Sequence, residues 1–434
     1  MDYAISIGLF MPLVGFLILM STYACISRRL VSLVGCGTIL ISFICFCSLL
    51  ANSTASGVSP LSVTLFEWIP VKGISADFTL HLDALSFVMT LVITGVGFLI
   101  HVYSIGYMEH EEDYARYFGF MNFFVFSMLT LVLAGNLVLL FVGWEGVGVA
   151  SYLLIGYWYE KPVAAESATK AFVVNRIGDL GLLLGILLTY YLFGTSDMAE
   201  INQRAVSSFA VGAPIITVLT LLYFIGAVGK SAQLPLYTWL PDAMAGPTPV
   251  SALIHAATMV TAGVYLLVRL NPVFMLAPTT LEVVGVIGAV TSLFASICAV
   301  GQTDLKRVLA YSTVSQLGLM FLACGVGAFY AAMFHLTMHA FVKALLFLSA
   351  GNVVHMLHDV TEMDQMGGLS KALPKTRWLF LIGVLALAGI PPLAAFFSKD
   401  LILEQSYLVG FKTLFWIGLA ASTMTGKQMP PTPP

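Results

Sequence analysis

The strongest constraint on this chain is a series of apolar runs, each long enough to cross a lipid bilayer. About thirteen such runs can be counted, near residues 4–24, 31–50, 84–105, 117–134, 136–158, 169–193, 213–244, 249–269, 281–300, 308–325, 327–354, 378–405 and 409–425. Helices satisfy their backbone hydrogen bonds internally, so runs of this length in lipid are predicted to be transmembrane helices. We therefore expect an all-α, polytopic membrane protein.

Composition supports this fold class and excludes others. Of 434 residues, 59% are hydrophobic and 9% are charged, against about 25% charged residues in soluble domains. The net charge of -3 and the lack of a basic cluster argue against a nucleic-acid partner. The six cysteines lie inside apolar runs without CxxC spacing, so neither a disulfide framework nor an iron–sulfur site is predicted.

The chain divides into three helices followed by two repeats. Residues 1–113 hold the first three helices, and alternating polarity within 51–83 predicts a small extramembrane hairpin. Residues 114–270 and 271–425 would each supply five spans, and an odd number of spans inverts the second repeat relative to the first. With the N-terminus outside, most Lys and Arg residues of the loops face inward, as the positive-inside rule requires.

Two of the runs contain prolines and are too long to be simple spans. Pro235 interrupts 213–244 and Pro392 interrupts 378–405. Proline removes a backbone donor and clashes with the preceding helical turn. Each repeat is therefore predicted to contain one broken helix, the pattern that indicates an inverted-repeat transporter.

Three ionisable residues recur every four positions inside the run 326–354. His335, His339 and Lys343 would form one polar stripe on an apolar helix, with Lys343 near the middle of the bilayer. A charge at that depth costs at least about 2.5 kcal/mol and by default marks an ion or proton pathway. Snorkelling to the headgroups is the structural alternative. The two histidines could also hold a metal, but no carboxylate or cysteine joins them.

The first repeat contains a buried acid and a buried lysine. Glu145 lies well inside the fifth span and needs a cation, and Lys230 just before the broken-helix proline is expected to pair with it. A desolvated lysine can lose and regain a proton, which arginine cannot. His255 shares a predicted helix face with Ser251 and Thr258 and could extend the pathway. The alternative for His255 is a neutral, hydrogen-bonded core residue.

Other charged residues are expected to play supporting roles. Arg176 and Asp179, three residues apart, are predicted to form an orienting ion pair. Lys399 and Asp400 follow the second broken-helix proline, which favours a role in proton exit, with snorkelling as the alternative. Lys306 lies in a short inner loop and is expected to set topology.

Several long motifs resemble the L-subunit family of NADH-quinone oxidoreductase, the antiporter-like subunits of respiratory complex I. They read GWEGVGVASYLLIGYW, GKSAQLPLYTWLPDAMAGPTPVSALIHAATMVTAGVYL, HAFVKALLFLSAGNVVH and FFSKD. The resemblance implies proton transfer across the inner membrane, bacterial more than mitochondrial, coupled to quinone reduction. It also implies that NADH, FMN, iron–sulfur clusters and quinone are bound by partner subunits of the membrane arm and beyond, with no redox or metal site in this chain.

The resemblance also implies a role for each residue of this chain that matches a motif of the family. It implies an ion pair at Glu145 and Lys230 and an exit at Lys399 and Asp400. It also implies a central axis formed by His255, His335, His339 and Lys343. Multi-subunit Mrp cation/proton antiporters share the same core, so sodium antiport is the alternative function. The family continues into further helices and a lateral helix, whereas residues 426–434 form a Pro-rich tail, so a C-terminally truncated form is expected.

Overall fold

The computed structural model describes residues 2–56, 60–71 and 74–426, and most of these residues lie in helices. Among the described residues, ten helical segments are long and apolar enough to cross a membrane; nine are single helices, and the tenth, Thr248–Arg269, comprises α10 and α11. In chain order the helices are α1 Asp2–Ser21, α2 Arg28–Ser56, α3 Ala84–Tyr107, α4 Tyr114–Leu133, α5 Leu137–Ile155, α6 Pro162–Phe193, α7 Met198–Ser208, α8 Pro214–Lys230, α9 Trp239–Asp242, α10 Thr248–Ala256, α11 Ala262–Arg269, α12 Asn271–Met275, α13 Pro278–Val300, α14 Leu305–Gly325, α15 Phe329–Met356, α16 Leu369–Ala372, α17 Pro374–Ala388, α18 Ala394–Leu408 and α19 Lys412–Thr425. The chain is a multi-pass membrane protein, as the apolar runs predicted.

Three predicted spans correspond to shorter helices. The run 213–244 holds α8, of 17 residues, and α9, of four. The run 378–405 is divided between α17 and α18, each of 15 residues, and 409–425 holds the 14 residues of α19. The other ten predicted spans correspond to the ten long candidates.

Both predicted broken helices are present, which confirms this part of the expected fold. The first helix ends at Lys230 and resumes at Trp239, with Pro235 in the irregular segment between them. The second ends at Ala388 and resumes at Ala394. Side chains take over some of the freed backbone groups: the Trp239 indole N–H donates to the carbonyl of Gly229 over 3.1 Å. Buried backbone of this kind must find such partners.

A third interruption, between α10 and α11, carries no proline and was not predicted. The α-helix is interrupted at residues 257–261. Within this interruption, the backbone angles φ and ψ of Thr258 are -124° and -106°. The Thr258 hydroxyl donates to the carbonyl of Leu253 over 2.6 Å. A threonine hydroxyl can thus replace a backbone N–H as the donor to a helical carbonyl. The expectation that Ser251, His255 and Thr258 share one continuous helix face is therefore wrong.

The segment predicted to lie outside the membrane contains an antiparallel hairpin. Strand β1, Leu61–Val71, pairs with β2, Ile74–Leu82, and Leu61 lies opposite Leu82. The Asn136 side chain donates to the carbonyl of Asp77 over 2.7 Å and ties the hairpin to the start of α5. The predicted turn residues 72–73 and the tail 427–434 lie outside the described residues.

The two five-span segments show the same order of neighbours. In the first, α4 packs on α5, α5 on α6, and α6 on α8. In the second, α13 packs on α14, α14 on α15, and α15 on α17. Helices α10 and α11 of the first segment also pack against α15, so the two halves meet at the helix that carries the predicted stripe.

Candidate functional site

Four charged residues of the first half form what we call the first cluster: Glu145, Arg176, Asp179 and Lys230. Glu145 forms an ion pair with Arg176. Lys230 lies 3.6 Å from the Asp179 carboxylate. The predicted direct pairs Glu145–Lys230 and Arg176–Asp179 are therefore wrong, because each residue takes its partner from a neighbouring helix.

The position of α6 explains this exchange of partners. Helix α6 packs against both α5 and α8, so it lies between the helix of Glu145 and the helix of Lys230. Arg176 and Asp179 lie three residues apart on α6, and one reaches each neighbour. The Trp144 indole N–H also donates to Asp179 over 2.6 Å, which holds the carboxylate beside Lys230.

Exposure divides the first cluster into an inner and an outer pair. The side chains of Lys230 and Asp179 are 1% and 4% exposed, whereas those of Arg176 and Glu145 are 39% and 19% exposed. Breaking the inner pair would leave a buried charge without compensation. Asp179, expected only to orient Arg176, is thus the direct partner of the buried lysine.

The second cluster, in the other half, consists of His335, His339, Lys343 and Lys399. Lys343 is fully buried on α15, and its Nζ donates to the Leu309 carbonyl over 3.0 Å and to the Ser312 hydroxyl over 2.5 Å. Among the described residues, no carboxylate pairs with Lys343. The snorkelling alternative for Lys343 is wrong, since its amine is held inside the bundle by neutral oxygens of α14.

The two histidines of the stripe differ in their partners. His335 bonds through Nδ1 to the Ser398 hydroxyl at 2.8 Å and through Nε2 to the Gln316 amide oxygen at 3.0 Å. His339 lies one turn further, with its ring centroid 6.3 Å from that of His335. Neither ring nitrogen of His339 has a hydrogen-bond partner among the described residues. A buried polar group of this kind ordinarily needs a partner, either protein or water.

His255 lies where the two halves meet. It is fully buried on α10, and its ring centroid is 4.9 Å from that of Phe347 on α15. Both of its ring nitrogens also lack a partner among the described residues, as does the Ser251 hydroxyl. The alternative of a hydrogen-bonded structural histidine is therefore not what the described contacts show.

Lys399 and Asp400 occupy different environments. Lys399 is 5% exposed, and its Nζ donates to the Leu387 carbonyl over 2.5 Å, across the break between α17 and α18. Asp400 is exposed and forms no hydrogen bond or ion pair with the residues that the structure describes. Snorkelling does not describe Lys399, and the structure does not bring Asp400 together with the cluster.

Lys306 is a buried cation, although the sequence predicted that it would lie in a loop and only set the topology of the chain in the membrane. It is 7% exposed in the first turn of α14, and its Nζ donates to the Gly246 carbonyl over 2.9 Å, just after the first broken helix. Asp304 caps this helix by accepting from the Arg307 N–H. That cap was the available signal, because it places Lys306 inside the helix and not in the loop.

The ion pair between Asp83 and Arg269 was also not predicted from the sequence. The Arg269 guanidinium donates to both oxygens of Asp83, at 2.5 and 3.0 Å, and so joins the end of α11 to the start of α3. Partial burial would raise the pKa of the Asp83 carboxyl, but the Arg269 guanidinium outweighs that effect and lowers the pKa. Bidentate pairs of this geometry are among the stronger charge-assisted contacts.

Comparison with known proteins identifies the fold family. The family described as “NADH:quinone oxidoreductase/Mrp antiporter, TM” matches residues 134–425. A second, described as “NADH-Ubiquinone oxidoreductase (complex I), chain 5 N-terminus”, matches residues 68–118. The first match contains both clusters and both broken helices.

Solved structures show the same fold. A chain of the Mrp complex from Dietzia sp. DQ12-45-1b is similar with a TM-score of 0.83 and 30% identity, over 98% of this chain and 46% of that one. A chain of the membrane-bound sulfane sulfur reductase, an archaeal respiratory membrane complex, is similar with a TM-score of 0.87 and 25% identity, over 99% and 86%.

Curated relatives narrow the family further. NADH-quinone oxidoreductase subunit L of Escherichia coli is 47% identical, over 97% of this chain and 69% of that protein. The protein of the same name from Pseudomonas aeruginosa is 49% identical, over 95% and 68%. This chain thus spans about two thirds of the length of these relatives. The chain belongs to the family of NADH-quinone oxidoreductase subunit L, the antiporter-like membrane subunits of complex I.

Proposed function

We propose that this chain carries protons across the membrane through its buried lysines and histidines, as a translocating subunit of an NADH-quinone oxidoreductase. The observation that supports this most directly is Lys343. Its amine is fully buried in the middle of a long apolar helix and, within the part of the chain that the structure describes, is held by one carbonyl and one hydroxyl oxygen. A lysine without a counter-ion can release its proton without separating an ion pair.

Neighbouring groups extend the pathway in both directions along the bundle. His339 lies one helical turn from Lys343, and His335 joins α15 to Ser398, the residue before Lys399. His255 lies beside α15 on the side of the first half. The unpartnered nitrogens of His255 and His339 are positions where water molecules would complete a proton wire, because water supplies both donors and acceptors.

The first cluster would act as a charge switch on this pathway. Lys230 ends the first part of a broken helix and is held by Asp179, while Glu145 is held by Arg176. Protonation of Asp179 or movement of α8 would free Lys230 to pass its proton towards His255. Arg176 and Asp179, which were expected to pair with each other, are then the ion-pair partners of Glu145 and Lys230.

Redox chemistry is proposed to take place in other subunits. NADH, FMN, iron–sulfur clusters and quinone would be bound there, and this chain would supply only the proton pathway within the membrane arm. The relatives with which the chain shares its family are subunits of multi-subunit complexes. A bacterial inner membrane is the proposed location, in line with the bacterial relatives.

Reconstituted vesicles test the proposal. The purified complex that contains this chain is expected to acidify one side of the vesicle during NADH oxidation, and Lys343→Ala is expected to lower this acidification for each electron pair. Unchanged stoichiometry in Lys343→Ala would contradict the pathway.

Sodium antiport is the second candidate, favoured by the similarity to the Mrp complex. The groups around Lys343 are amines, imidazoles and single neutral oxygens, whereas a hard cation prefers several carboxylate and carbonyl oxygens. We therefore expect turnover at fixed pH to be insensitive to sodium. A dependence on sodium in potassium-matched buffers would favour antiport.

A further inference from the structure

Two adjoining cavities on the side where α3 and α5 end carry an inference that does not depend on proton transport. The first, of about 270 Å³, is lined by the loop residues 110–113 and 157–161 together with Arg116. The second, of about 200 Å³, is lined by apolar residues of α4, α5 and α6, among them Phe120 and Leu153. Arg116, Tyr157 and Tyr159 line both cavities and form their junction.

The two cavities lie at different depths relative to the membrane. The candidate spans end at Tyr107 and Ile155 and begin again at Tyr114 and Pro162. The polar cavity is therefore at the level of the lipid headgroups, whereas Phe120 and Leu153 lie within the spans. Tyrosines are enriched at this boundary, and Tyr159 is 59% exposed there. A ligand that filled both cavities would have one polar end and one apolar end.

Unpaired hydrogen-bond donors lie at the junction. Tyr157 is 2% exposed, and its hydroxyl has no partner among the described residues. The Nε of Arg116 also has no partner there, while its Nη2 is held by Asp113 and by the Tyr157 carbonyl. Burial raises the pKa of the Tyr157 hydroxyl, so it remains an O–H donor at neutral pH. A phosphate or ester oxygen is the acceptor that such a pair of donors binds.

The remaining charges of the polar cavity favour a cationic end group. Glu111, Glu112, Asp113 and Glu160 outnumber Arg116 and Lys161. The aromatic face of Trp158 is already covered by the Lys161 amine, 4.4 Å from the ring centroid. An aromatic cage for a quaternary amine is therefore not available, whereas a primary ammonium could donate to the carboxylates.

We propose that this pair of cavities is a binding site for one phospholipid with an ethanolamine headgroup. The phosphate would accept from Arg116 and Tyr157, the ammonium would lie among the carboxylates of the polar cavity, and an acyl chain would follow Phe120 and Leu153. The loop walls are braced for this by the indole N–H of Trp158, which donates to Glu111 over 3.2 Å.

Native mass spectrometry of the purified full chain in detergent tests this site, with phosphatidylethanolamine, phosphatidylcholine and phosphatidylglycerol titrated separately. Phosphatidylethanolamine is expected to bind most tightly. Arg116→Gln should weaken its binding about tenfold and Tyr157→Phe several-fold, as the loss of charged and neutral hydrogen bonds respectively. Arg204→Gln, which changes an exposed arginine paired with Glu200 elsewhere, should leave it unchanged.

Folding and the source of the headgroup need separate controls. Glu112 is exposed and forms no hydrogen bond with the described residues, so Glu112→Gln should fold normally yet reduce the preference for ethanolamine over choline. Free phosphoethanolamine at equal concentration should not displace the lipid. Tightest binding of phosphatidylglycerol, equal binding by Tyr157→Phe and the unaltered chain, or displacement by phosphoethanolamine would each overturn the proposal.

Discussion

The two halves of the molecule stabilise their buried lysines in opposite ways. Lys230 in the first half is held by the carboxylate of Asp179, and its cluster contains two acids and two bases. Lys343 in the second half is held by the Leu309 carbonyl and the Ser312 hydroxyl, and its cluster contains no acid. Lys230 ends the first part of a broken helix, whereas Lys343 lies on the continuous helix α15, so the two lysines differ in position as well as in electrostatics.

This difference indicates a division of labour between the halves. An ion pair in a poorly solvated site keeps both charges in place, and removing one partner is costly. A lone amine among neutral oxygens has no counter-ion to hold its charge. The first half is therefore suited to switching between paired states, and the second half to passing the proton on.

The largest effect is expected from Lys343. Lys343→Ala should lower proton pumping on the order of tenfold or more, since the pathway loses a proton-transfer group. Lys343→Arg should fail as well, because arginine does not release its proton. Pumping by reconstituted vesicles measures both, with Lys375→Ala, an exposed lysine, as control. Normal pumping by Lys343→Arg would remove the proposed role of carrier.

The second-largest effect is expected from replacing the ion-pair partners in the first cluster. A double-mutant cycle between Asp179→Asn and Lys230→Ala should be strongly non-additive, since each single change leaves the other group unpaired. The matched cycle between Glu145→Gln and Lys230→Ala should couple less, because Glu145 pairs with Arg176. Pumping rate and thermal unfolding are the two readouts. Stronger coupling for Glu145 than for Asp179 would contradict the observed pairing.

A smaller effect is expected from the hydroxyl that holds Lys343. Ser312→Ala removes one of the two oxygens that bind the amine, so pumping should fall several-fold while the complex stays assembled. Ser406→Ala is the matched control, since this buried serine bonds only to the carbonyl of Ile402 in its own helix. Equal pumping by the two variants would show that Ser312 does not position the lysine.

The smallest effect on transport is expected from the Asp83–Arg269 pair, which lies outside both clusters. Asp83→Asn should lower the free energy of unfolding by about 1–3 kcal/mol, with little change in pumping. The folded pKa of Asp83 is lowered, so its stabilisation is complete above about pH 4 and is lost only as the pH falls below that value.

Thermal unfolding at several pH values checks the sign of this effect. The difference between Asp83→Asn and the unaltered chain should stay constant between about pH 6 and pH 8, because both values lie above the ordinary carboxyl pKa. Glu200→Gln, in an exposed pair with Arg204, should change stability less. A difference that grows across this range would indicate another titrating group.

Much of the fold follows from the sequence alone. Apolar length predicts the spans because lipid offers no partner for an open backbone. Pro235 and Pro392 predict both broken helices because proline cannot donate to the helix. The four-residue spacing of His335, His339 and Lys343 likewise predicts a shared helix face, and all three side chains are buried on α15.

Only the tertiary structure decides which charges meet. Sequence spacing relates residues within one helix, but it does not say which helix lies between two others, and so Asp179 was not recognised as the partner of Lys230. The break at Thr258 has the same origin: a hydroxyl competes with the backbone only where packing permits. The sequence by itself indicated the burial of Lys230, His335, His339 and Lys343, because the cost of a charge in lipid depends on residue type and depth, but it did not indicate the burial of Lys306. Their partners depend on how separate helices pack, with 31 residues of chain between Ser312 and Lys343 and 186 between Asp83 and Arg269, and only the folded bundle decides that packing.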